Sequence, residues 1–289
     1  MRAELSPGDT WLMPSERRLV IDGVGMVELL PRAGYEASFV CERPVIGFAF
    51  EGQAGTHAFA TSRRSAFRGK PNHISWVPRG CDVYSQSATG GEYLKITLEP
   101  GRVNGAAAGH RFSNVIDRTA IAAAQRLRRL LLGRTVEVLS CEREVSLLEE
   151  RTRGILAGEA RRSRPAAWMT PRRLSLIDEL IEARLDGRLT VNELAATLGL
   201  SDGFFSRAFA AAVGKPPHDY IIDRRIARAR SLLASRHLDL AAIALASGFA
   251  SHAHMTALFR ERLGASPSDI RRASADQSMS PESVPAVSR

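Results

Sequence analysis

Apolar and polar positions follow two different rhythms along the chain, and the rhythm changes near residue 116. Before that point, short apolar runs alternate with turns marked by Pro and Gly; the runs are MVELLP, SFVCERP, VIGFAFEGQAG, HISWVPRG and YLKITLEPG. Runs of this length at short spacing predict β-strands, and their number favours a sandwich or a barrel. We therefore expect a β-domain over residues 1–116.

Residues 117–160 carry apolar side chains at helical spacing instead. One stripe consists of Ile121, Ala124, Leu127 and Leu131, and a second consists of Val138, Val145, Leu148 and Ile155. Stripes of this kind are usually core, so we expect two helices packed on the strands or on each other.

Near the C-terminus one helical pattern occurs twice. The first copy, residues 193–214, reads ELAATLGLSDGFFSRAFAAAVG. Leu194, Ala195 and Leu198 share the face of a short helix, and Gly199 can end it in the left-handed conformation. Ser201 can cap a second helix, whose buried face carries Phe205 and Phe209.

The second copy, residues 242–264, repeats this scheme with one extra residue in the turn. Gly248 matches the turn glycine of the first copy, and Ser251 matches its capping serine. Met255 and Phe259 then supply the buried face, and Gly264 ends the helix. The sequence thus predicts two helix-turn-helix units in one small domain.

In such a unit the exposed side of the second helix enters the major groove of DNA. Arg207 is the candidate for a guanine or phosphate contact. Ala257 occupies its position in the second copy, whose helix would either contribute less base readout or read a thymine methyl through Ala and Thr. The candidate DNA-contact residues are Ser201, Asp202, Gly203, Ser206 and Arg207 in the first copy, and Ser251, His252, Ala253 and Thr256 in the second.

A longer helix is predicted between the two copies. Pro216 and Pro217 can open it, and Tyr220, Ile226, Ala229 and Leu233 share one face. Four arginines surround that face, and a solvated helix surface is one interpretation of them; they are Arg224, Arg225, Arg228 and Arg230.

Residues 174–272 resemble the DNA-binding domain of the AraC/XylS family of bacterial transcription regulators. The resemblance rests on residues at fixed spacing across both copies: Leu194, Ala195, Gly199, Ser206, Arg207, Phe209, Gly214, Pro217, Tyr220, Arg224, Arg225, Ile226, Ala229, Leu232, Leu233, Ile243, Ala244, Gly248, Phe249, Phe259, Arg260, Gly264, Pro267 and Arg271. It implies two helix-turn-helix subdomains, joined by one long helix, that insert into successive major grooves.

The resemblance also implies the rest of the architecture. We expect an α+β protein with a cupin-like β-barrel (jelly roll) and flanking helices, followed by an all-α domain of two helix-turn-helix subdomains. The predicted segments are a sensor domain (1–116), a helical dimerisation or packing segment (117–160), a linker (161–171), the DNA-binding domain (172–273) and a disordered Ser/Pro-rich tail (274–289).

The family further implies a cytoplasmic regulator, commonly an activator, that binds promoter DNA as a homodimer and engages RNA polymerase. The N-terminal domain would sense a small molecule or mediate dimerisation. A small-molecule effector would bind in the barrel, where His57, Trp76, Tyr84 and Tyr93 are candidate ligand contacts. Each of these side chains could equally belong to the core. The sequence leaves open the effector, the operator and the sign of regulation.

Composition agrees with a DNA-binding protein. The net charge of +9 favours phosphate contact, although an excess of Arg is also typical of high-GC coding sequences. No run of eighteen apolar residues predicts a membrane span. Cys41, Cys81 and Cys141 match no zinc or disulfide spacing, and we expect buried free thiols.

Two alternatives involve chemistry rather than binding alone. A cupin-type metal enzyme fused to a DNA-binding domain would need converging ligands, but His57 is followed two residues later by Phe59, and His73 has no partner nearby. A DNA-repair protein that accepts alkyl groups would need a reactive or zinc-bound cysteine in a setting that this chain lacks. We therefore expect no metal, no cofactor and no enzymatic activity.

Overall fold

The computed structural model describes residues 17–104, 109–133, 135–159, 164–233 and 238–272. The predicted tail at 274–289, the first sixteen residues and part of the predicted linker lie outside these ranges. Within them the chain forms strands up to residue 115 and helices from residue 118 onwards, so the α+β class and the change of rhythm are confirmed.

The strands pair into two antiparallel sheets. They are β1 (Arg17–Ile21), β2 (Gly25–Leu30), β3 (Tyr35–Val40), β4 (Val45–Ala49), β5 (Gln53–Phe59), β6 (Ser65–Gly69), β7 (His73–Val77), β8 (Asp82–Ser87), β9 (Tyr93–Leu98) and β10 (Phe112–Val115). The six-stranded sheet has the order β1-β2-β9-β4-β7-β10, and the four-stranded sheet has the order β3-β8-β5-β6. In the described residues no strand pairing joins the two sheets into a closed barrel.

Alternate residues of the six-stranded sheet serve two different environments, because successive side chains of a strand point to opposite faces. On β7 and β9, Ile74, Trp76, Leu94, Ile96 and Leu98 are buried in one hydrophobic core with the helices that follow. Their neighbours along the same strands line a cavity instead, and they include His73, Ser75, Val77, Tyr93 and Lys95. One face of this sheet therefore builds the core, and the other leaves a space.

The helices are α1 (Arg118–Leu132), α2 (Val138–Leu156), α3 (Arg164–Trp168), α4 (Pro171–Ala183), α5 (Val191–Thr197), α6 (Asp202–Val213), α7 (Pro217–Leu233), α8 (Leu240–Ala246) and α9 (His252–Leu263). Asp117 caps α1 by accepting a hydrogen bond from the amide of Ala120 at 2.8 Å. The predicted core stripes are buried in α1 and α2, except for Val138, which is exposed.

The predicted linker, whose Arg, Pro and Ala content indicates an exposed, semi-flexible segment, is partly packed in its described part. Residues Arg164–Trp168 form the short helix α3, and Met169 is buried in the core of the α4–α6 region. The Trp168 ring meets the Phe204 ring edge-on at 5.4 Å. Trp168 and Met169 thus pack this segment against the domain that follows it.

Two hydrophobic cores divide the helical region. Residues of α4, α5 and α6 share one core with Tyr220 and Ile221 from the first half of α7. Ile226, Ala229 and Leu233, from the second half of α7, lie in the other core with α8 and α9. That second core is continuous with α1, α2 and the six-stranded sheet. The strand domain and the last two helices are therefore packed as one body.

Candidate nucleic-acid interface

The helix pair α5–α6 is built by capping interactions at each end. Thr190 and Glu193 form a reciprocal capping box at the start of α5, which satisfies two amides that have no partner within the helix. The hydroxyl of Ser201 accepts a hydrogen bond from the Phe204 amide at 3.4 Å and begins α6. Gly214, with φ of 76°, ends it in the left-handed conformation.

The pair α8–α9 repeats this construction. Asp239 caps α8 by accepting from the Ala242 amide at 2.6 Å, and Ser251 caps α9 by accepting from the His254 amide at 3.1 Å. Gly264, with φ of 72°, ends α9. Because α6 and α9 both contain 12 residues between a serine and a left-handed glycine, the predicted alignment of the two copies is confirmed.

Each of these second helices has one buried and one exposed side. On α6 the side chains of Phe205, Ala208 and Phe209 are completely buried, and on α9 those of Met255 and Phe259 are. Most of the predicted contact residues are exposed: Ser201, Asp202, Gly203, Arg207, Ser251, His252 and Ala253. Ser206 and Thr256 are half-buried, and the hydroxyl of Thr256 is itself buried. The structure therefore gathers the predicted set on the first turns of α6 and α9.

Arg207 supplies the positive charge of the α6 surface. An added Cβ on Gly203 would lie 3.5 Å from a terminal nitrogen of Arg207, so the guanidinium lies beside the first turn of the helix. Among the described residues no carboxylate forms an ion pair with Arg207. The nearby carboxylate of Asp202 accepts a hydrogen bond from the Asn192 amide at 3.2 Å instead. The guanidinium is thus free to meet an anion.

Three of the four arginines on the joining helix α7 have structural roles. Arg225 donates to the carbonyl oxygens of Leu185 at 3.0 Å and Gly187 at 2.7 Å. Arg224 pairs with Glu182, with 2.7 Å between Nε and the carboxylate. Arg230 pairs with Glu92 of the strand domain. Protein groups, rather than solvent alone, therefore hold most of the arginine side chains on α7.

Known proteins are similar in sequence to this helical region. A family model described as a helix-turn-helix domain matches residues 194–273. The transcriptional activator AarP of Providencia stuartii is 35% identical over 100 residues, which are 34% of this chain and 74% of AarP. The chain belongs to the AraC/XylS family.

Other relatives carry names of the same type. The probable regulator LumQ of Photobacterium leiognathi is 34% identical over 92 residues, which are 32% of this chain and 37% of LumQ. The regulator Rv1931c of Mycobacterium tuberculosis is 32% identical over 123 residues, which are 38% of this chain and 48% of Rv1931c. The chain thus spans less than half the length of these two curated relatives.

Solved structures of transcription factors are also similar to part of the chain. An AraC-type regulator from Chromobacterium violaceum is 28% identical, with a TM-score of 0.34, over 38% of this chain and 96% of that one. The DNA-binding domain of AdpA, solved in complex with a target DNA, is 28% identical, with a TM-score of 0.35, over 37% and 97%.

In this AraC/XylS chain the candidate ligand contacts of the strand domain do not lie together. His57 and Tyr93 line the cavity between the sheets. Trp76 is 1% exposed and belongs to the helix-facing core. The Tyr84 hydroxyl lies 3.1 Å from both the Glu36 carboxylate and the Gln86 side-chain oxygen, and Arg64 lies over its ring.

Arg111 also lines this cavity, and sequence reasoning did not single it out. No local pattern marks it, since it is one of many arginines and stands just before a short strand. A strand register would have been needed to find it.

The cysteines and histidines form no reactive cluster in the described parts of the chain. Cys41, Cys81 and Cys141 are buried free thiols, as predicted, and burial raises the pKa of Cys141 to about 11. No three His, Cys, Asp or Glu side chains within the described ranges converge as metal ligands. None of the described helices is long and apolar enough to cross a bilayer.

Proposed function

We propose that this AraC/XylS protein is a sequence-specific regulator of transcription that acts by binding promoter DNA and has no enzymatic activity. The observation that carries the proposal is the pair of matched helices, α6 and α9, each capped by serine and each exposed at its first turns. Such helices enter successive major grooves about one turn of DNA apart, roughly 34 Å.

The proposed DNA contacts are Ser201, Asp202, Gly203, Ser206 and Arg207 on the first recognition helix, and Ser251, His252, Ala253 and Thr256 on the second. Arg207 is the proposed base-reading residue because its guanidinium is exposed and has no carboxylate partner among the described residues. The second helix presents Ala257 at the matching position, so we expect base discrimination to be stronger in the half-site bound by α6.

The N-terminal domain, residues 1–116, is the proposed sensor. Its two packed sheets are compatible with a cupin-like jelly roll, and the space between them is suited to a small effector. A regulator of this design acts by binding the effector with different affinity in two states. We propose activation through RNA polymerase in the cytoplasm, with AarP, named as an activator, as the supporting relative.

We also propose a homodimer that uses the start of α2, within the 117–160 segment. The buried stripes of α1 and α2 are already used within the subunit. Val136, Val138 and Leu139 remain exposed at the beginning of α2, with Leu139 81% accessible. Such a group of apolar side chains is more typical of an interface than of a surface that stays in water.

The decisive experiment is selection of bound duplexes from a random DNA pool by the full-length protein, at a fixed moderate salt concentration. We expect a bipartite motif whose halves are about one helical turn apart. Arg207→Ala should weaken binding to the selected site by about 1–3 kcal/mol and relax base preference in one half only, because a bidentate base contact is lost.

Arg79→Ala is the matched control, since it removes the same charge from an exposed position in the strand domain. It should leave both halves of the motif unchanged. Equal losses in the two variants would mean that Arg207 contributes only general electrostatic attraction. A pool without any enriched sequence would contradict the proposed function itself.

A further inference from the structure

A cavity of about 150 Å³ lies between the two sheets of the strand domain. Side chains from both sheets line it, among them Tyr35, His57 and Phe67 from one sheet and Ser75 and Tyr93 from the other. A space of this size holds on the order of five water molecules. It therefore suits a ligand whose enclosed part has about six non-hydrogen atoms, the size of a benzene ring.

The charged groups of the cavity are cations. No Asp or Glu stands among the described lining residues, whereas Lys95 and Arg111 both do. The ammonium group of Lys95 lies 3.3 Å from the carboxylate of Glu28, so its charge is already balanced.

Arg111 differs from Lys95 because no carboxylate of the described residues pairs with it. Its guanidinium lies 4.0 Å from the centre of the Phe59 ring and donates to the hydroxyl of Ser113 at 3.4 Å. The residue is exposed and also lines the cavity, which puts it at the opening. A partly desolvated guanidinium without an anion favours the entry of one.

The two cavity histidines add no charge of their own at pH 7. Burial, and to a lesser extent Arg111, lowers the pKa of His57. Burial lowers the pKa of His73 to about 4, against a smaller opposing effect of its hydrogen bond to the Lys70 carbonyl. Both imidazoles are therefore neutral at pH 7, and the unbalanced charge of the lining is that of Arg111.

The rest of the lining is largely aromatic and aliphatic, and its tyrosine hydroxyls have partners within the protein. The His57 and Phe67 rings are stacked at 4.8 Å and nearly parallel. The Tyr35 hydroxyl is 3.1 Å from Ser85 Oγ, and the Tyr93 hydroxyl is 3.1 Å from Ser75 Oγ. Because these hydroxyls bond to each other, they make little demand on a ligand, whose body should be apolar.

We propose that this cavity binds a small apolar carboxylate, with its hydrocarbon part between the two sheets and its carboxylate on the guanidinium of Arg111. The proposal rests on the sensor role given to this domain and names the chemical class of its effector. Its test is independent of DNA, so its failure would leave the DNA-binding proposal standing.

The test is calorimetric titration of the full-length protein with benzoate and hexanoate, and with the neutral isosteres benzamide and hexanamide. We expect at least one acid to bind roughly 10- to 100-fold more tightly than its amide, as for a hydrogen bond between charged groups. Preference for benzoate or for hexanoate tells whether the hydrocarbon part is a ring or a chain.

Three variants assign the interaction. Arg111→Ala should remove the difference between acid and amide, Arg111→Lys should restore part of it, and Arg79→Ala should behave as the parent protein. Because Arg111 is exposed and makes no ion pair among the described residues, its replacement should leave the fold intact, which circular dichroism checks. Equal binding of acid and amide, undiminished binding in Arg111→Ala, or no binding of any of the four compounds would overturn the proposal.

Discussion

At the scale of single residues, His73 is the clearest case of an environment that overrides intrinsic chemistry. Its ring is buried on β7 and contacts the carbonyl of Lys70. Burial lowers its pKa from 6.5 to about 4, whereas the unfolded chain takes up the proton near pH 6.5. The unfolded state therefore binds more protons between these values, and stability is lost as the pH falls from about 6.5 towards 4.

We expect this histidine to account for roughly 3 kcal/mol of acid destabilisation. Urea unfolding from pH 7.5 to pH 4.5 measures it, and NMR titration of the imidazole reports the pKa directly. His73→Gln should flatten the pH dependence, while the exposed His218→Gln should leave it as in the parent. A His73 ring that titrates near pH 6.5 in the folded protein would contradict the argument.

The same scale explains which candidate residues the sequence could identify. His57 and Tyr93 face the cavity, while Trp76 and Tyr84 face away from it. Of two adjacent strand positions only one points into the cavity. Ser75 therefore lines it in place of its neighbour Trp76, and Ser85 in place of its neighbour Tyr84. Aromatic character alone could not choose between the faces, because that choice depends on how the two sheets stack.

At the scale of elements, both helix-turn-helix units have a glycine in the turn, but the space around the two glycines differs. Gly199 and Gly248 both have positive φ, at 66° and 82°. A Cβ on Gly199 would meet nothing within 4 Å, whereas one on Gly248 would lie 2.0 Å from the carbonyl oxygen of Leu185. Only the second turn is pressed against a neighbouring backbone.

Gly199→Ala should therefore destabilise its unit by about 1–2 kcal/mol, which is the strain of a left-handed alanine. Gly248→Ala should cost the same strain and a further ~1–3 kcal/mol, because the α4–α5 connection must move. Thermal unfolding of the two variants, compared under identical conditions, measures the difference. Equal shifts in melting temperature would show that the contact with Leu185 relaxes without cost.

The sequence predicted much of these elements, because caps and turn glycines act locally. Ser201, Ser251, Gly214 and Gly264 have the capping roles expected of them. The sequence could not show that Gly248 is required for close packing as well as for its turn. Its close neighbour is Leu185, which is distant in sequence, and only the packed structure brings the two together.

At the scale of the whole molecule, the strand domain is joined to the DNA-binding domain by polar and apolar contacts. The side-chain amide of Asn72 donates to the carbonyl of Val213 at 2.9 Å, at the end of the first recognition helix. Glu92 pairs with Arg128 of α1 and with Arg230 of α7. Tyr93, the next residue along the chain, lines the cavity. Neighbouring residues at the start of β9 thus contact the cavity and the joining helix α7.

Glu92 is thus a buried carboxylate clamped between two domains. It is 1% exposed, and the side chains of Arg128 and Arg230 are 10% and 12% exposed. Burial alone would raise the pKa of Glu92, but the two guanidinium groups outweigh that effect and hold it below its usual value. Glu92→Gln removes the carboxylate that Arg128 and Arg230 share, so we expect a loss of about 3–5 kcal/mol in unfolding free energy at pH 7.

Glu99→Gln is the matched control, because Glu99 makes an exposed ion pair with Arg43 at 2.7 Å, and such pairs contribute about 0–1 kcal/mol. The contribution of ionised Glu92 is complete above about pH 4.5 and is lost as the pH falls through its depressed pKa. The difference between Glu92→Gln and the parent should therefore narrow in acid. Hydrogen exchange should quicken in both β9 and α7 of this variant, since the carboxylate holds both elements. Faster exchange in β9 alone would mean that Glu92 stabilises its own sheet and that the apolar core alone holds the domains together.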